Sequence, residues 1–208
     1  MTLLSQQGIP MSLGHLAERS GLPKGTVHQQ LRTLMEAGYV IQNPGGSYQV
    51  ALSTITLGTA ALEQANLGSQ IAARVASLAA RSGETASLSV LRDGQVFILY
   101  RVTIDSSLMT DLAAGRTMPA SSSASGQVLR AFENEEPAGP NAGSTETVAE
   151  IRKQGYAVIS DEFLVGMTTI AVPVRLPGIG LAALSLAAPT FRFDQEKLLA
   201  LLTRSRVL

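Results

Sequence analysis

The segment that most constrains the fold is residues 21–50, where a helical pattern runs directly into a hairpin pattern. Val27, Leu31 and Leu34 recur at the spacing of one helix face, which predicts an amphipathic helix. The turn sequence Asn-Pro-Gly-Gly follows at 43–46, between two short segments typical of strands. A helix followed at once by a hairpin has a shape suited to contact with duplex DNA.

An earlier helix completes this unit. Ser12 is placed to cap a helix that carries Leu16, and Gly21 ends it because a residue just past a helix end often needs a positive φ. Pro23 suits the first position of the next helix, where its missing N–H group costs nothing. Two helices joined by a tight glycine-containing turn form a helix-turn-helix. Residues 1–50 are therefore predicted to be a winged helix-turn-helix domain.

The outward face of the second helix carries polar residues that can bind DNA. Glutamine can form two hydrogen bonds with adenine, and arginine can bind guanine or phosphate. The predicted DNA-binding residues are Ser12, Lys24, Gly25, Thr26, His28, Gln29, Arg32 and Ser47. A small helical cap with a solvated polar face would show the same pattern, and the pattern alone does not separate the two interpretations.

The charge balance argues for assembly. The chain has 208 residues with 16 basic and 16 acidic side chains, so its formal net charge is zero. Residues 1–50 contain three Lys or Arg and two Asp or Glu, a net charge of +1. Phosphate contacts supply most non-specific affinity for DNA, so one module should bind weakly. A homodimer or homotetramer that reads two half-sites is predicted.

Composition also excludes several classes of site. The chain has no cysteine, which excludes disulfides and thiolate metal sites and suits a cytoplasmic location. No cofactor is predicted. The most apolar late stretch, residues 168–188, is interrupted by prolines and glycines and is interpreted as strands and turns. Neither a membrane span nor a signal peptide is predicted.

The rest of the chain is predicted to be a linker helix, residues 51–67, followed by an α+β domain, residues 68–208. The linker has apolar or small side chains at helical spacing, namely Leu52, Ile55, Thr59 and Leu62. The second domain is predicted to have strands at 85–91, 96–102, 108–112, 156–159, 169–174 and 181–187, with helices between them. Strands with helices segregated to the faces describe an α+β sheet domain. Residues 132–147 are predicted to form a flexible loop.

An enzymatic function is not expected. Both histidines, His15 and His28, lie in the N-terminal module and there is no cysteine, so the second domain has no Ser-His or Cys-His pair. Asp161 and Glu162 are neighbours on the chain and would point to opposite sides of a strand, which argues against a hydrolytic pair.

A ligand site fits the second domain better. Ser122, Ser123, Ala124 and Ser125 open a predicted helix, and the unpaired amides of a helix N-terminus attract a carboxylate. The same serines would also be expected simply to cap the helix, and the two roles are compatible.

The run "MSLGHLAERSGLPKGTVHQQLRTLMEAGYV" resembles the winged-helix domain of the IclR family of bacterial transcriptional regulators. The resemblance continues through "GGSYQVALSTITLGTAAL" and "GETASLSVLRDGQVFILYRV" and covers nearly the whole chain. It implies a linker helix that packs against a partner subunit and a GAF-like, mixed-sheet effector domain. Two departures are a shortened first helix and Gly25 with Gln29-Gln30 on the recognition helix.

The resemblance also implies an effector pocket. The positions that it carries over are Thr110, Ala124, Ser125, Ile159, Met167, Thr169, Ser185 and Ala187. Ile159 stands where relatives often have Asp, Thr169 where Cys is common, and Ala187 where Ser is frequent. These changes favour a small organic acid with an apolar body as the effector of a ligand-responsive, DNA-binding regulator. Two alternatives stay open: a regulator whose second domain serves mainly in oligomerisation, and a small-molecule binding module without DNA binding.

Overall fold

The computed structural model describes residues 1–104, 115–133, 145–162 and 164–205. The chain divides into two compact units, Met1–Gln64 and Ala65–Leu208. The first is a helix-turn-helix with a hairpin, and the second is a sheet with helices packed against it. The predicted α+β fold class, with its N-terminal winged helix-turn-helix, is confirmed.

The first unit has six elements. They are α1 (Thr2–Gln7), α2 (Leu13–Ser20), α3 (Lys24–Glu36), β1 (Val40–Gln42), β2 (Tyr48–Val50) and α4 (Thr54–Gln64). The first five share one small core because their apolar faces meet. Its buried members are Leu4, Met11, Leu16, Ala17, Val27, Leu31, Val40 and Tyr48.

Local chemistry explains where these elements begin and end. The Ser12 side chain accepts a hydrogen bond from the His15 amide at 3.2 Å, and Gly21 ends α2 with φ of 68°. Pro23 is the residue before α3, one position earlier than predicted, so its fixed φ sets the entry to the helix. Met11 exchanges two backbone hydrogen bonds with Tyr48, of 2.9 and 2.8 Å. The hairpin is thereby held against the start of α2.

The second unit is built on one six-stranded sheet. Its helices are α5 (Ser69–Ser82), α6 (Ala124–Phe132), α7 (Thr145–Gln154) and α8 (Gln195–Arg204). Its strands are β3 (Thr85–Arg92), β4 (Gln95–Val102), β5 (Thr117–Pro119), β6 (Ala157–Ser160), β7 (Met167–Leu176) and β8 (Gly180–Pro189). Their order in the sheet is β5-β4-β3-β8-β7-β6.

The sheet differs from the prediction in two details. A mixed sheet was expected, whereas all neighbouring strands within the described residues pair antiparallel. The short strand β5 was not predicted, because three residues are too few to show a period. The predicted strand at 108–112 and most of the predicted loop at 132–147 lie outside the described residues.

The two faces of the sheet carry side chains of different size. Successive residues of a strand point to opposite faces, and Leu88 and Leu184 are paired across β3 and β8 on one of them. The adjacent pair on the other face is Ser87 and Ser185. Helices α6 and α7 pack with Val96, Ala171 and other residues in a core of mostly small side chains. Small residues on this face leave room between the sheet and α6.

No helix in the described ranges is both long and apolar enough to cross a lipid bilayer.

Candidate functional site

The polar residues of α3 lie on its exposed surface, as predicted. Val27 and Leu31 are buried in the core of the first unit. The helix's predicted DNA-facing residues are all exposed, namely Lys24, Gly25, Thr26, His28, Gln29 and Arg32. A polar, accessible helix with a hairpin beyond its end is the arrangement with which winged helices enter a DNA groove.

The two predicted residues outside α3 have structural roles as well. Ser12 is exposed and caps α2, while Ser47 is half-buried at the base of the hairpin. The Ser47 amide donates a hydrogen bond to the Asn43 side chain at 3.0 Å, and Gln42 donates to the Gly46 carbonyl at 3.0 Å. These bonds fix the shape of the hairpin tip.

Arg32 has a partner that sequence reasoning missed. Its Nε donates to the Glu36 carboxylate at 3.0 Å, one helical turn away, and both side chains are about two-thirds exposed, at 68% and 66%. Exposed pairs at this spacing contribute only about 0.3–0.5 kcal/mol. The pair orients the guanidinium, and exchanging Glu36 for a phosphate or a base edge would cost little.

A cavity in the second unit brings together nine of the ten predicted ligand-binding residues. They are Ser122, Ser123, Ala124, Ser125, Ile159, Met167, Thr169, Ser185 and Ala187. The tenth, Thr110, lies outside the described residues. The space inside that is open to water-sized molecules is about 50 Å³, enough for a few water molecules. Only a small ligand would fit without rearrangement.

The N-terminus of α6 forms one wall of the cavity. The Ser123 side chain caps the helix by accepting a hydrogen bond from the Gly126 amide at 3.1 Å. The amides of Ala124 and Ser125 precede the first intrahelical hydrogen bond, which runs from Gln127 to Ser123. They therefore remain at the positive end of the helix. Capping and cavity lining occur in the same turn.

The sheet forms the opposite wall. Thr169 of β7 is in register with Ala187 of β8 on one side and with Ile159 of β6 on the other. Ser185 is two residues from Ala187 on the same face of β8. The predicted positions thus form one continuous patch across three neighbouring strands.

Six further residues line the cavity and were missed by sequence reasoning. They are Ser87, Ser89, Arg101, Met118, Glu162 and Leu164. A signal for part of this set was present, because residues 87–90 and 183–187 alternate small residues with Leu or Val. That alternation indicates a strand with a crowded face and a face with space.

Arg101 is the cationic residue of this set. It is in register with Ser87, and its Nη1 donates to the Ser87 hydroxyl at 3.4 Å. Partial burial lowers the pKa of Arg101 to about 10, because desolvation disfavours the charged form. The guanidinium therefore keeps its charge at neutral pH.

The described residues contain no group of three His, Asp or Glu side chains placed to hold a metal ion. The cavity's lining is made of hydroxyl, apolar and two charged side chains. Such a lining is suited to binding a small molecule.

Comparison with known proteins agrees with the fold of both units. The IclR helix-turn-helix domain model matches residues 1–44. The model of the bacterial transcriptional regulator IclR C-terminal domain matches residues 59–139 and 144–206. The chain belongs to the IclR family. Members of this family are transcriptional regulators and not enzymes, so the predicted absence of catalysis is confirmed.

Individual relatives cover most of this IclR-family chain. The DNA-binding transcriptional repressor YiaJ of Escherichia coli K12 is 30% identical, over 88% of this chain and 73% of its own length. The IclR regulator structure from Alicyclobacillus acidocaldarius has a TM-score of 0.80 at 25% identity and covers 99% of this chain and 92% of its own. An IclR homolog from Microbacterium hydrocarbonoxydans complexed with 4-hydroxybenzoate has a TM-score of 0.75 at 22% identity, over 95% and 89% of the two chains.

Proposed function

We propose that this chain is a ligand-responsive transcriptional regulator that binds operator DNA through α3 and a small organic acid in the cavity beneath α6. The observation that carries the proposal is the cavity itself. Nine predicted positions from a helix N-terminus and three strands line one space, together with an arginine that prediction missed. Such a space, with an apolar part and a few polar groups, is typical of a ligand site.

The chemistry of the lining supports an acid with an apolar body. Ile159, Met167 and Ala187 supply apolar surface, while Thr169 and Ser185 supply hydroxyl groups. The amides at the start of α6 favour a negative charge. The 4-hydroxybenzoate bound by the Microbacterium homolog is a molecule of this class, which supports the same class here.

The two units would be coupled in an assembly. We propose residues 1–50 as the DNA-binding domain, 51–67 as the linker and 68–208 as the effector and oligomerisation domain. The weak charge of one DNA-binding module supports a homodimer or homotetramer, because two half-sites double the phosphate contacts. The protein would act in the cytoplasm, where operator DNA is found.

The DNA part of the proposal is tested with variants of α3. An operator is first selected from genomic fragments that the full chain retains. Arg32→Ala and Gln29→Ala should then weaken operator binding by roughly 1–3 kcal/mol each if the side chains contact base edges, as measured by fluorescence anisotropy. Arg81→Ala, which removes an exposed arginine from α5, is the matched control. Unchanged affinity in both α3 variants would place the DNA contact elsewhere.

A further inference from the structure

Three neighbouring strands place polar residues in one register row on the cavity side of the sheet. Arg101 of β4 is opposite Ser87 of β3, and Ser87 is opposite Ser185 of β8. All three side chains line the cavity. The row continues into Ala171 of β7, which is apolar and fully buried in the core beneath α6. The polar groups are therefore confined to the β4 end of the row.

The charges in the cavity are few and opposite in sign. Among its described lining residues, Arg101 is the one cationic side chain and Glu162 is the one acidic side chain. Arg101 is half-buried on the sheet, whereas Glu162 is exposed in the segment between β6 and β7. A ligand with one negative charge can pair with Arg101. A second negative charge would enter the same cavity as the Glu162 carboxylate and would be repelled by it.

We propose that Arg101, which contacts Ser87, binds the carboxylate of the effector and makes the site selective for monocarboxylic acids over their neutral amides and over dicarboxylates. This assignment rests on the proposed effector-binding function of the cavity. It makes Arg101, rather than the start of α6, the main determinant of ligand charge.

The arginine is the stronger anion-binding group for physical reasons. A helix N-terminus presents about half a unit charge that is spread over several amides. A guanidinium carries a full charge and can donate two parallel hydrogen bonds to one carboxylate. Partial burial strengthens this interaction because less water screens it. The Ser87 hydroxyl, at 3.4 Å from Nη1, is one contact of the guanidinium at the cavity wall.

The test compares matched ligands on the full chain by thermal-shift dose response, since a ligand that binds only the folded state raises the melting temperature. Benzoate and benzamide differ in charge but hardly in shape, and isophthalate adds a second carboxylate to benzoate. The wild-type protein should bind benzoate more tightly than it binds benzamide or isophthalate. Arg101→Gln should weaken benzoate binding by about 10- to 100-fold while leaving the affinity for benzamide unchanged.

Three further variants separate charge from structure. Arg101→Lys should retain a preference for benzoate over benzamide, because it retains the positive charge. Glu162→Gln, at an exposed position, should improve isophthalate binding without affecting benzamide. Arg175→Gln removes an exposed arginine from β7 and should leave the affinities for all three ligands unchanged.

The outcomes distinguish this inference from the proposed function. If Arg101→Gln keeps the wild-type preference for benzoate, or if wild type binds benzamide as tightly as benzoate, the Arg101 assignment is wrong and the effector site stands. If wild type binds neither benzoate nor benzamide while it still binds operator DNA, the proposal of an acid-binding effector site fails and the Arg101 assignment fails with it.

Discussion

The backbone of α6 lies directly against the backbone of Ala120. The residue of α6 at this contact is Gly126, and it sets the position of the cavity wall. A Cβ atom added to Gly126 would lie 2.2 Å from the Ala120 carbonyl oxygen and 2.4 Å from its Cα. Both neighbours are backbone atoms that have little room to move. Glycine at position 126 therefore permits the approach of α6 that brings Ser123–Ser125 to the cavity.

Gly126→Ala should push α6 away from Ala120 and destabilise the second unit by about 1–3 kcal/mol, the usual cost of overpacking. Thermal unfolding followed by circular dichroism measures the change. Gly58→Ala is the matched control, because Gly58 lies within α4 and an added Cβ there meets nothing within 4 Å. The control should be neutral or slightly stabilising, since alanine favours a helix. Equal melting temperatures for the two variants would contradict the close packing.

Residues whose role depends on their immediate neighbours in sequence could be predicted. Ser12 and Ser123 cap helices as expected, because an N-cap is recognised from the few residues that follow it. Arg101 could not be predicted as a cavity residue, because its place depends on the register between β3 and β4 and on the distant strand β8. The Arg32 pair with Glu36 has the spacing of a helical ion pair and could have been read from sequence.

At the scale of elements, α4 is the helix that its own unit leaves uncovered. None of its residues is buried, and Ile55 and Leu57 are 65% and 51% exposed. Leu52, just before the helix, is 82% exposed. Apolar side chains in this number on one short segment favour contact with a partner. That this linker packs against a partner subunit stays a prediction. Substitutions in α4 can test it.

Ile55→Ser should weaken self-association, because each isoleucine buried in an interface contributes about 1.5–3 kcal/mol. Sedimentation velocity over a concentration series measures the effect, and the melting temperature of the monomer should not fall. Thr56→Ser, a smaller polar change at an exposed position of the same helix, is the control. The linker is not an assembly surface if Ile55→Ser and wild type associate with the same dissociation constant.

The strands and helices were largely predictable, whereas their arrangement was not. The strands predicted at 85–91 and 181–187 correspond to β3 and β8, and residues 87–90 and 183–187 show the alternation typical of a strand. Their pairing joins Thr85 to Ala187, residues that are about a hundred positions apart, and local periodicity carries no information on such contacts. The expectation of a mixed sheet failed for this reason, since strand direction is set by the whole chain path.

At the scale of the whole molecule, the proposed function depends on energetic coupling between α3 and the cavity. The two surfaces lie in different compact units. An effector changes DNA binding only if it binds more tightly to one DNA-binding state of the assembly than to the other. The size of that difference is the coupling free energy, typically about 1–3 kcal/mol.

The most direct test of a ligand-responsive regulator is operator affinity with and without the acid that stabilises the full chain most, chosen from benzoate and butyrate. At a saturating concentration of that acid, the dissociation constant for the selected operator should change by about 5- to 150-fold in wild type. Saturating operator should change the affinity for the acid by the same factor. An operator affinity that is identical with and without the saturating acid would contradict the coupling.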